Sequence, residues 1–164
     1  MRGALSIREV DPRCADALLL LHAAALEARA LYPDLIPADS PMPTNAPAVA
    51  GSICVIAYDG DLPLGMGALR PFRVLASSPT EPGVAEVRRM FVAAAGRRRG
   101  VGRSVLAALE QHARALGYHV LRLETGNRQQ PAMALYETAG FARIAPWAEH
   151  ADDPTSVCFE KQLG

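Results

Sequence analysis

The hydrophobic and polar positions at the start of the chain predict one strand followed by one helix. Residues 7–10, Ile-Arg-Glu-Val, are typical of a short strand. Asp11 and Pro12 come next, and these residue types favour the N-cap and the first position of a helix, which we expect to run to Leu31. Residues 17–26 are apolar on nearly every helical face, which predicts that the helix is mostly buried.

A proline-rich segment, residues 32–52, interrupts this pattern. It holds five of the thirteen prolines, and proline excludes regular structure because it lacks the backbone N–H and has a fixed φ. A loop of this length in a compact domain is usually functional or mobile, so two interpretations stay open. The segment is either a lid on the substrate side or a tolerated surface insertion.

The middle of the chain alternates in the manner of strands. Residues 53–58 are a continuous apolar run, Asp59-Gly60 is a strong hairpin signal, and residues 64–69 form the partner strand. After a second break at residues 71–83, residues 85–92 predict another strand. The strand period of two places Glu86, Arg88 and Met90 on one face and Val87, Arg89 and Phe91 on the other.

The last part of the chain predicts two helices between strands. Apolar residues at positions 105, 109 and 116, flanked by Leu106 and Ala113, predict an amphipathic helix from Val101 that ends at Gly117. Strands are predicted at 120–125, 141–144 and 155–161, and a short helix at 131–139. The whole order predicts one domain, residues 1–164, with a mixed, mostly antiparallel central sheet of about seven strands flanked by helices.

The charge balance excludes some partners. Lys plus Arg and Asp plus Glu are 17 each, so the net charge is zero, which argues against a protein that binds nucleic acid over a whole face. Lys161 is the sole lysine. Residues 86–103 hold six arginines and one acid, whereas residues 137–160 hold five acids and one arginine. This arrangement indicates one compact site for a small polyanion.

Cysteine and histidine spacing gives no sign of a disulfide framework or a metal site, and the three cysteines fit a reducing, cytoplasmic location. The four histidines are interpreted as structural or surface residues: His22, His112, His119 and His150. The apolar stretch 17–26 is too short to cross a bilayer and starts too late for a signal peptide, so we expect no membrane association.

The most informative unit is a strand, a turn at residues 93–96, and an arginine- and glycine-rich start of a helix. Gly100 and Gly102 let a ligand approach the backbone, and the first-turn amides are free donors at the positive end of the helix dipole. The unit predicts a pyrophosphate site. It fits neither a Walker A motif, which needs a lysine, nor a dinucleotide fingerprint, which needs a third glycine. A solvated arginine run is the alternative.

Three ordered motifs carry a resemblance over about residues 84–144. They are Arg97-x-x-Gly100-x-Gly102, Leu123-Glu124-Thr125-Gly126 and Leu135-Tyr136-Glu137-x-x-Gly140-Phe141. Together they resemble the GNAT superfamily of acyl-CoA-dependent N-acetyltransferases.

The resemblance implies acetyl-CoA as co-substrate without a metal, and direct acetyl transfer to a primary amine of a small molecule or a peptide. It places Met90 and Val92 along the pantetheine arm and the amides of residues 98–104 around the pyrophosphate. The implied cofactor-binding residues are Met90, Phe91, Val92, Arg97, Arg98, Arg99, Gly100, Val101, Gly102, Arg103, Ser104, Asn127, Gln129 and Tyr136. Many members have Asn where Gln129 stands, with Asn127 two residues earlier.

The resemblance also implies an acid and a base. Tyr136 stands where the family places its phenol acid, and its alternative role is a core aromatic residue. Glu86 stands where some members carry a glutamate that acts as a base through water, and the alternative is an ion pair with Arg88 or Arg89. Arg88 itself either binds a substrate carboxylate or pairs with Glu86.

Other hypotheses remain beside the enzyme. A non-catalytic acyl-CoA sensor would use the same pyrophosphate site, whereas an arginine-rich nucleic-acid module is disfavoured by the zero net charge. No cysteine lies in the motifs, so we expect no covalent acetyl-enzyme. The loops 32–52 and 71–83 and the region 147–154 are expected to select the acceptor. The apolar first helix raises a homodimer as a hypothesis.

Overall fold

The computed structural model describes residues 3–164, which form three α-helices and seven strands in the predicted order. Two single-turn 3-10 helices, Ala94–Gly96 and Ala148–His150, lie between them. The elements are β1 (Leu5–Glu9), α1 (Ala15–Leu31), β2 (Ile53–Asp59), β3 (Leu62–Pro71), β4 (Val84–Val92), α2 (Val101–Ala115), β5 (Val120–Gly126), α3 (Gln130–Thr138), β6 (Ala142–Ile144) and β7 (Ser156–Gln162). The proline-rich segment 32–52 has no helix or strand, as predicted.

The strands form one mixed sheet in the order β1-β2-β3-β4-β5-β7-β6, which confirms the predicted fold class. All neighbours are antiparallel except β4 and β5. These two parallel strands pair over three residues only, and the last pair is Glu86 with Arg122. Because β4 continues to Val92 and β5 to Gly126, the strands separate beyond this pair and leave a gap in the middle of the sheet.

The helices cover both faces of the sheet. Helices α2 and α3 pack on one face, where Val101, Val105 and Leu109 of α2 meet buried side chains of the central strands. Helix α1 packs on the other face through Ala17, Leu20 and Leu21, against Ile56, Tyr58 and Met66. Burial of these apolar side chains holds the sheet rigidly on both sides of the gap.

The start of α1 differs from the prediction. The N-cap is Cys14, whose Sγ accepts from the Ala17 amide at 3.4 Å, and Asp11 instead closes the preceding turn by accepting from the Arg13 amide at 2.8 Å. The expectation of a mostly buried helix is also wrong. Leu19 and Leu26 are 61% and 59% exposed, because α1 covers the sheet with one face only.

A β-bulge in β4 reverses the predicted side-chain alternation. The register with β3 shifts between Met66 and Ala68, and Arg89 takes a positive φ of 60°. As a result Met90 packs against the α2 side of the sheet, and Phe91 packs against the α1 side. The predicted faces hold for Glu86 to Arg88 and are wrong from Arg89 onward, since a bulge inserts one extra residue.

The end of α2 also departs from the predicted stripe. Leu116 follows the helix and is 45% exposed, whereas Val105, Leu106, Leu109 and Ala113 are buried as expected. Gly117 has a φ of 88°, the left-handed conformation that commonly ends a helix. Within residues 3–164, no helix combines the length and the apolar character needed to cross a membrane.

Candidate active site

The edge of β4 that faces the gap carries free backbone groups. On the opposite edge, the Ala93 amide donates to the Leu64 carbonyl at 2.8 Å. Amides of neighbouring residues in a strand point to opposite edges, so the amides of Val92 and Met90 point into the gap, where β5 has already separated. An extended ligand could therefore pair with this strand edge as another strand would.

The N-terminus of α2 lies at the end of this edge and has no side-chain cap. Its N-cap is Gly100, with a φ of 73°. A Cβ on Gly102 would lie 3.1 Å from a Leu135 side-chain carbon and 3.5 Å from one of Val92, so glycine keeps the helix close to β4 and α3. The first-turn amides have no intrahelical partner. Ser104 is the exception among the predicted amide donors, because its N–H donates to the Gly100 carbonyl at 3.0 Å.

The predicted arginines divide into two groups. The guanidinium of Arg97 pairs with Glu27, and that of Arg99 is largely buried and donates to Asp59 at 3.0 Å. These two side chains tie the loop to α1 and to the β2–β3 hairpin, which sequence spacing did not reveal. Arg98 is exposed and has a φ of 62°. Its guanidinium is therefore free to turn toward an anion at the helix N-terminus.

Arg103 borders a second open space beside the helix N-terminus. A cavity of about 310 Å³ lies between Arg103 and the end of α3, where it is lined by Leu135, Thr138 and the following Ala139. Arg103 thus adds positive charge next to the uncapped amides of α2.

The residues before α3 have mainly backbone roles in the structure. The Asn127 amide donates to the Thr155 carbonyl at 2.8 Å, and the Gln129 amide donates to the Gly126 carbonyl at 3.0 Å. Gln129 is the N-cap of α3 but its side chain does not cap the helix. The contact of either side chain with a cofactor stays a prediction.

Tyr136 of α3 is buried, at 5% exposure. Its ring centroid lies 5.9 Å from those of both Phe141 and Phe159, so the expected packing role is real. Burial, and to a smaller degree the negative charge of Glu124, raise the pKa of the Tyr136 phenol above its usual range. The phenol therefore keeps its proton at neutral pH and is available as a proton donor.

Glu86 is a buried carboxylate whose main partner was not predicted. Its Oε1 accepts from Arg70 Nε at 2.9 Å, and its Oε2 lies 4.0 Å from Arg88 Nε. The expected alternative pair with Arg88 exists at this longer distance. The pair with Arg89 does not, since Arg89 Nε donates to Asn45 Oδ1 at 3.1 Å.

Glu124 is the site residue that sequence reasoning passed over. It is half-buried, accepts from Ser156 Oγ at 3.3 Å, and lies 4.0 Å from His150 Nδ1. Burial raises its pKa, and the neighbouring His150 opposes this rise. A carboxylate near the end of a predicted strand was the available signal, because a half-buried charge is costly unless it has a function. The His150 ring meets the Trp147 ring edge to face, with 5.0 Å between the ring centroids, beside this carboxylate.

The comparisons with known proteins agree with this geometry. A sequence model of the acetyltransferase (GNAT) family matches residues 21–141. An IAA acetyltransferase from Azospirillum brasilense is 44% identical over 84 residues, which is 51% of this chain and 55% of that protein. An uncharacterised N-acetyltransferase from Bacillus subtilis (strain 168) is 37% identical over 109 residues, 65% of this chain and 67% of that protein.

Solved structures share the fold over nearly the whole chain. A candidate acyl-CoA N-acyltransferase from Klebsiella pneumoniae is 30% identical with a TM-score of 0.74, and the match covers 98% of both chains. A candidate acetyltransferase from Salmonella typhimurium, determined with its cofactor acetyl-CoA, is 18% identical with a TM-score of 0.69. That match covers 99% of this chain and 95% of the other, and shows the fold alone.

Proposed function

The chain belongs to the acetyltransferase (GNAT) family of N-acetyltransferases, whose co-substrate is acetyl-CoA, and we propose that it transfers an acetyl group directly to the primary amine of a small molecule. The observation that carries this proposal is the gap between β4 and β5, which ends at the uncapped N-terminus of α2. A thioester supplies an acetyl group that is activated toward amines. The three free thiols support the expected cytoplasmic location.

The residues at the N-terminus of α2 fit a pyrophosphate. Gly100 faces open space and Gly102 allows close approach, so the first-turn amides can donate to phosphate oxygens. Arg98 and Arg103 supply the charge, since Arg97 and Arg99 are already paired with Glu27 and Asp59. The pantetheine arm would pair with the free edge of β4.

Direct transfer forms an N–C bond and breaks a C–S bond, so the amine must lose a proton and the departing sulfur must gain one. We assign the donor role to Tyr136, whose raised pKa keeps the phenol protonated at the start of the reaction. The amide of Met90 or Val92 would donate to the thioester carbonyl oxygen as negative charge develops there, without reorganisation of the backbone.

Two carboxylates compete for the role of base. Glu86 stays the predicted residue, but both of its oxygens face guanidinium groups, that of Arg70 at 2.9 Å and that of Arg88 at 4.0 Å. Glu124 is half-buried, and burial raises its pKa, which makes this carboxylate a stronger base. Glu124 also lies close enough for its charge to act on Tyr136. We therefore propose Glu124 as the base, with Glu86 as the alternative.

The test combines calorimetric titration with acetyl-CoA and a thiol-release assay over a panel of primary amines. The proposal predicts binding, and release that requires both an amine and an intact Tyr136. Binding without release for any small amine or peptide would support the acyl-CoA sensor instead. Absence of binding would contradict both functions.

A further inference from the structure

A cavity of about 200 Å³ lies on the α1 side of the sheet, between the segment 32–52 and the bulge in β4. Most of its wall is apolar, formed by Val10, Pro47, Val49, Ile53, Met66 and Leu69. One end is different, since Arg70, Arg88 and Arg89 meet there. Drug-sized ligand pockets usually measure ~300–1,000 Å³, so this cavity suits a smaller molecule.

The bulge explains why two consecutive arginines reach one cavity. In a regular strand Arg88 and Arg89 would point to opposite faces, but the extra residue turns both side chains to the same side. Asn45 then fixes Arg89, because its Oδ1 accepts from Arg89 Nε and its Nδ2 donates to the Pro12 carbonyl at 2.7 Å. The hydrogen bond to Asn45 thus links Arg89, with its positive φ, to the loop.

The positive charge at this end is only partly balanced. Arg70 is neutralised by Glu86 at 2.9 Å, whereas Arg88 lies 4.0 Å from the same carboxylate. Among the residues that line the cavity, Glu9 is the one acid, and it is exposed. Burial and the neighbouring guanidiniums lower the pKa of both Arg88 and Arg89. A bound anion would relieve this repulsion, and a carboxylate matches the fork of a guanidinium.

The opposite sign of charge lies across the gap. Glu86 of β4 lies opposite Arg122 of β5 in the strand register, as the last pair before the strands separate. Arg88 and Glu124 are each two residues farther along, so they lie on the two sides of the mouth of the gap. The charge of Glu124 acts on Arg88 as well as on Tyr136. The site therefore has a positive end at Arg88 and Arg89 and a negative end at Glu124.

We propose that the acceptor is a small amino acid-like molecule, whose carboxylate is bound by Arg88 and Arg89 and whose amine faces Glu124. This inference rests on the proposed function, since it specifies the acceptor of that acetyl transfer. The apolar wall favours an apolar side chain on the acceptor. Transfer forms the amide N–C bond on the amine and releases the thiol of coenzyme A.

The experiment compares matched acceptors that differ only at the carboxylate. L-valine, L-leucine and L-phenylalanine are each assayed beside the corresponding amide and the corresponding decarboxylated amine. We expect kcat/KM to be at least about 100-fold higher for the best amino acid than for its two analogues. Arg88→Gln should remove about 10- to 100-fold of that preference.

The exposed Arg114 on α2 provides the matched control, and Arg114→Gln should keep the full preference. Equal or better activity with the decarboxylated amines, unchanged by Arg88→Gln, would overturn the inference while leaving acetyl transfer intact. Turnover of no amine in the panel would instead count against the proposed function. Circular dichroism and acetyl-CoA affinity of Arg88→Gln check that the fold and the cofactor site are preserved.

Discussion

The two sites proposed at β4 would recognise their ligands by different means. For acetyl-CoA, the proposed groups are backbone amides, at Met90 and Val92 on the gap edge of β4 and in the first turn of α2. For the acceptor, the proposed groups are side chains on the α1 side of the sheet, chiefly Arg88 and Arg89. Backbone recognition needs glycines at fixed spacing, whereas side-chain recognition depends on a bulge and on a distant loop. The difference teaches that a backbone site can be predicted from glycine spacing in the sequence, whereas a side-chain site that depends on a bulge and a distant loop cannot.

The largest expected effect comes from closing the backbone site. Gly102→Asp adds bulk within 3.1 Å of Leu135 and places a negative charge where an anion should bind. We expect acetyl-CoA affinity to fall about 1,000-fold, since like charges in contact cost several kcal/mol. Calorimetric titration measures this loss. Ala107→Asp, at an exposed position of the same helix, is the control and should bind normally.

Tyr136→Phe separates binding from chemistry on the same side of the sheet. The ring packing against Phe141 and Phe159 remains, so acetyl-CoA affinity should stay within about twofold. Loss of the protonated phenol should lower kcat about 100-fold. Tyr118→Phe is the matched control, because it removes only the 2.6 Å hydrogen bond to the Gly51 carbonyl. Unchanged turnover of Tyr136→Phe with every acceptor would remove this residue from the acid role.

Glu124→Gln tests the negative end of the acceptor side. We expect kcat/KM to fall about 10- to 100-fold. The activity of the unmodified protein should fall as the pH drops through the raised pKa of Glu124, and this pH dependence should be absent from Glu124→Gln. The raised pKa means that the charged carboxylate destabilises the folded state at pH above that value, so Glu124→Gln should raise the Tm at pH 8. Glu86→Gln should lower the Tm, because it leaves Arg70 unpaired. If the loss of activity at low pH disappears in Glu86→Gln and not in Glu124→Gln, Glu86 is the base.

Asn45→Ala is expected to give the smallest effect, confined to the acceptor side. It removes the hydrogen bonds to Arg89 and to the Pro12 carbonyl, each worth about 1 kcal/mol. The KM for the acceptor should rise about fivefold while acetyl-CoA affinity stays constant. Steady-state kinetics with both substrates varied provide the measurement. An equal rise in both constants would mean that Asn45 stabilises the whole fold rather than the loop.

The same contrast explains what the sequence could predict. The strands, the order of elements and the helix start at Gly100 follow from local periodicity and from glycine chemistry, which act over a few residues. The bulge at Arg89 does not, because it depends on the register with β3 and on Asn45, 44 residues away. The ion pair of Arg99 with Asp59 joins residues that are 40 positions apart in sequence. Long-range side-chain contacts therefore decide which arginines form ion pairs within the fold and which keep a guanidinium that could bind a ligand.

The cap of α1 shows the same limit at short range. Asp11 and Cys14 are both able to accept a backbone hydrogen bond, and the sequence favours Asp11 as the stronger acceptor. The structure uses Cys14, since Asp11 already accepts from the Arg13 amide in the turn after β1. Local propensity predicted that a helix starts here, and the preceding turn decided the residue at which it starts.

The central claim is that the backbone of β4 and α2 binds acetyl-CoA. The arginine-lined cavity, which would receive the acceptor, is a separate site. Titration of ¹⁵N-labelled protein with acetyl-CoA, followed by amide NMR spectra, tests it most directly. The account predicts the largest shifts at Met90, Val92, Gly100 and Gly102, and small shifts at Ala46, Ala48 and Val49. Large shifts in the cavity loop with an unperturbed α2 N-terminus would contradict it.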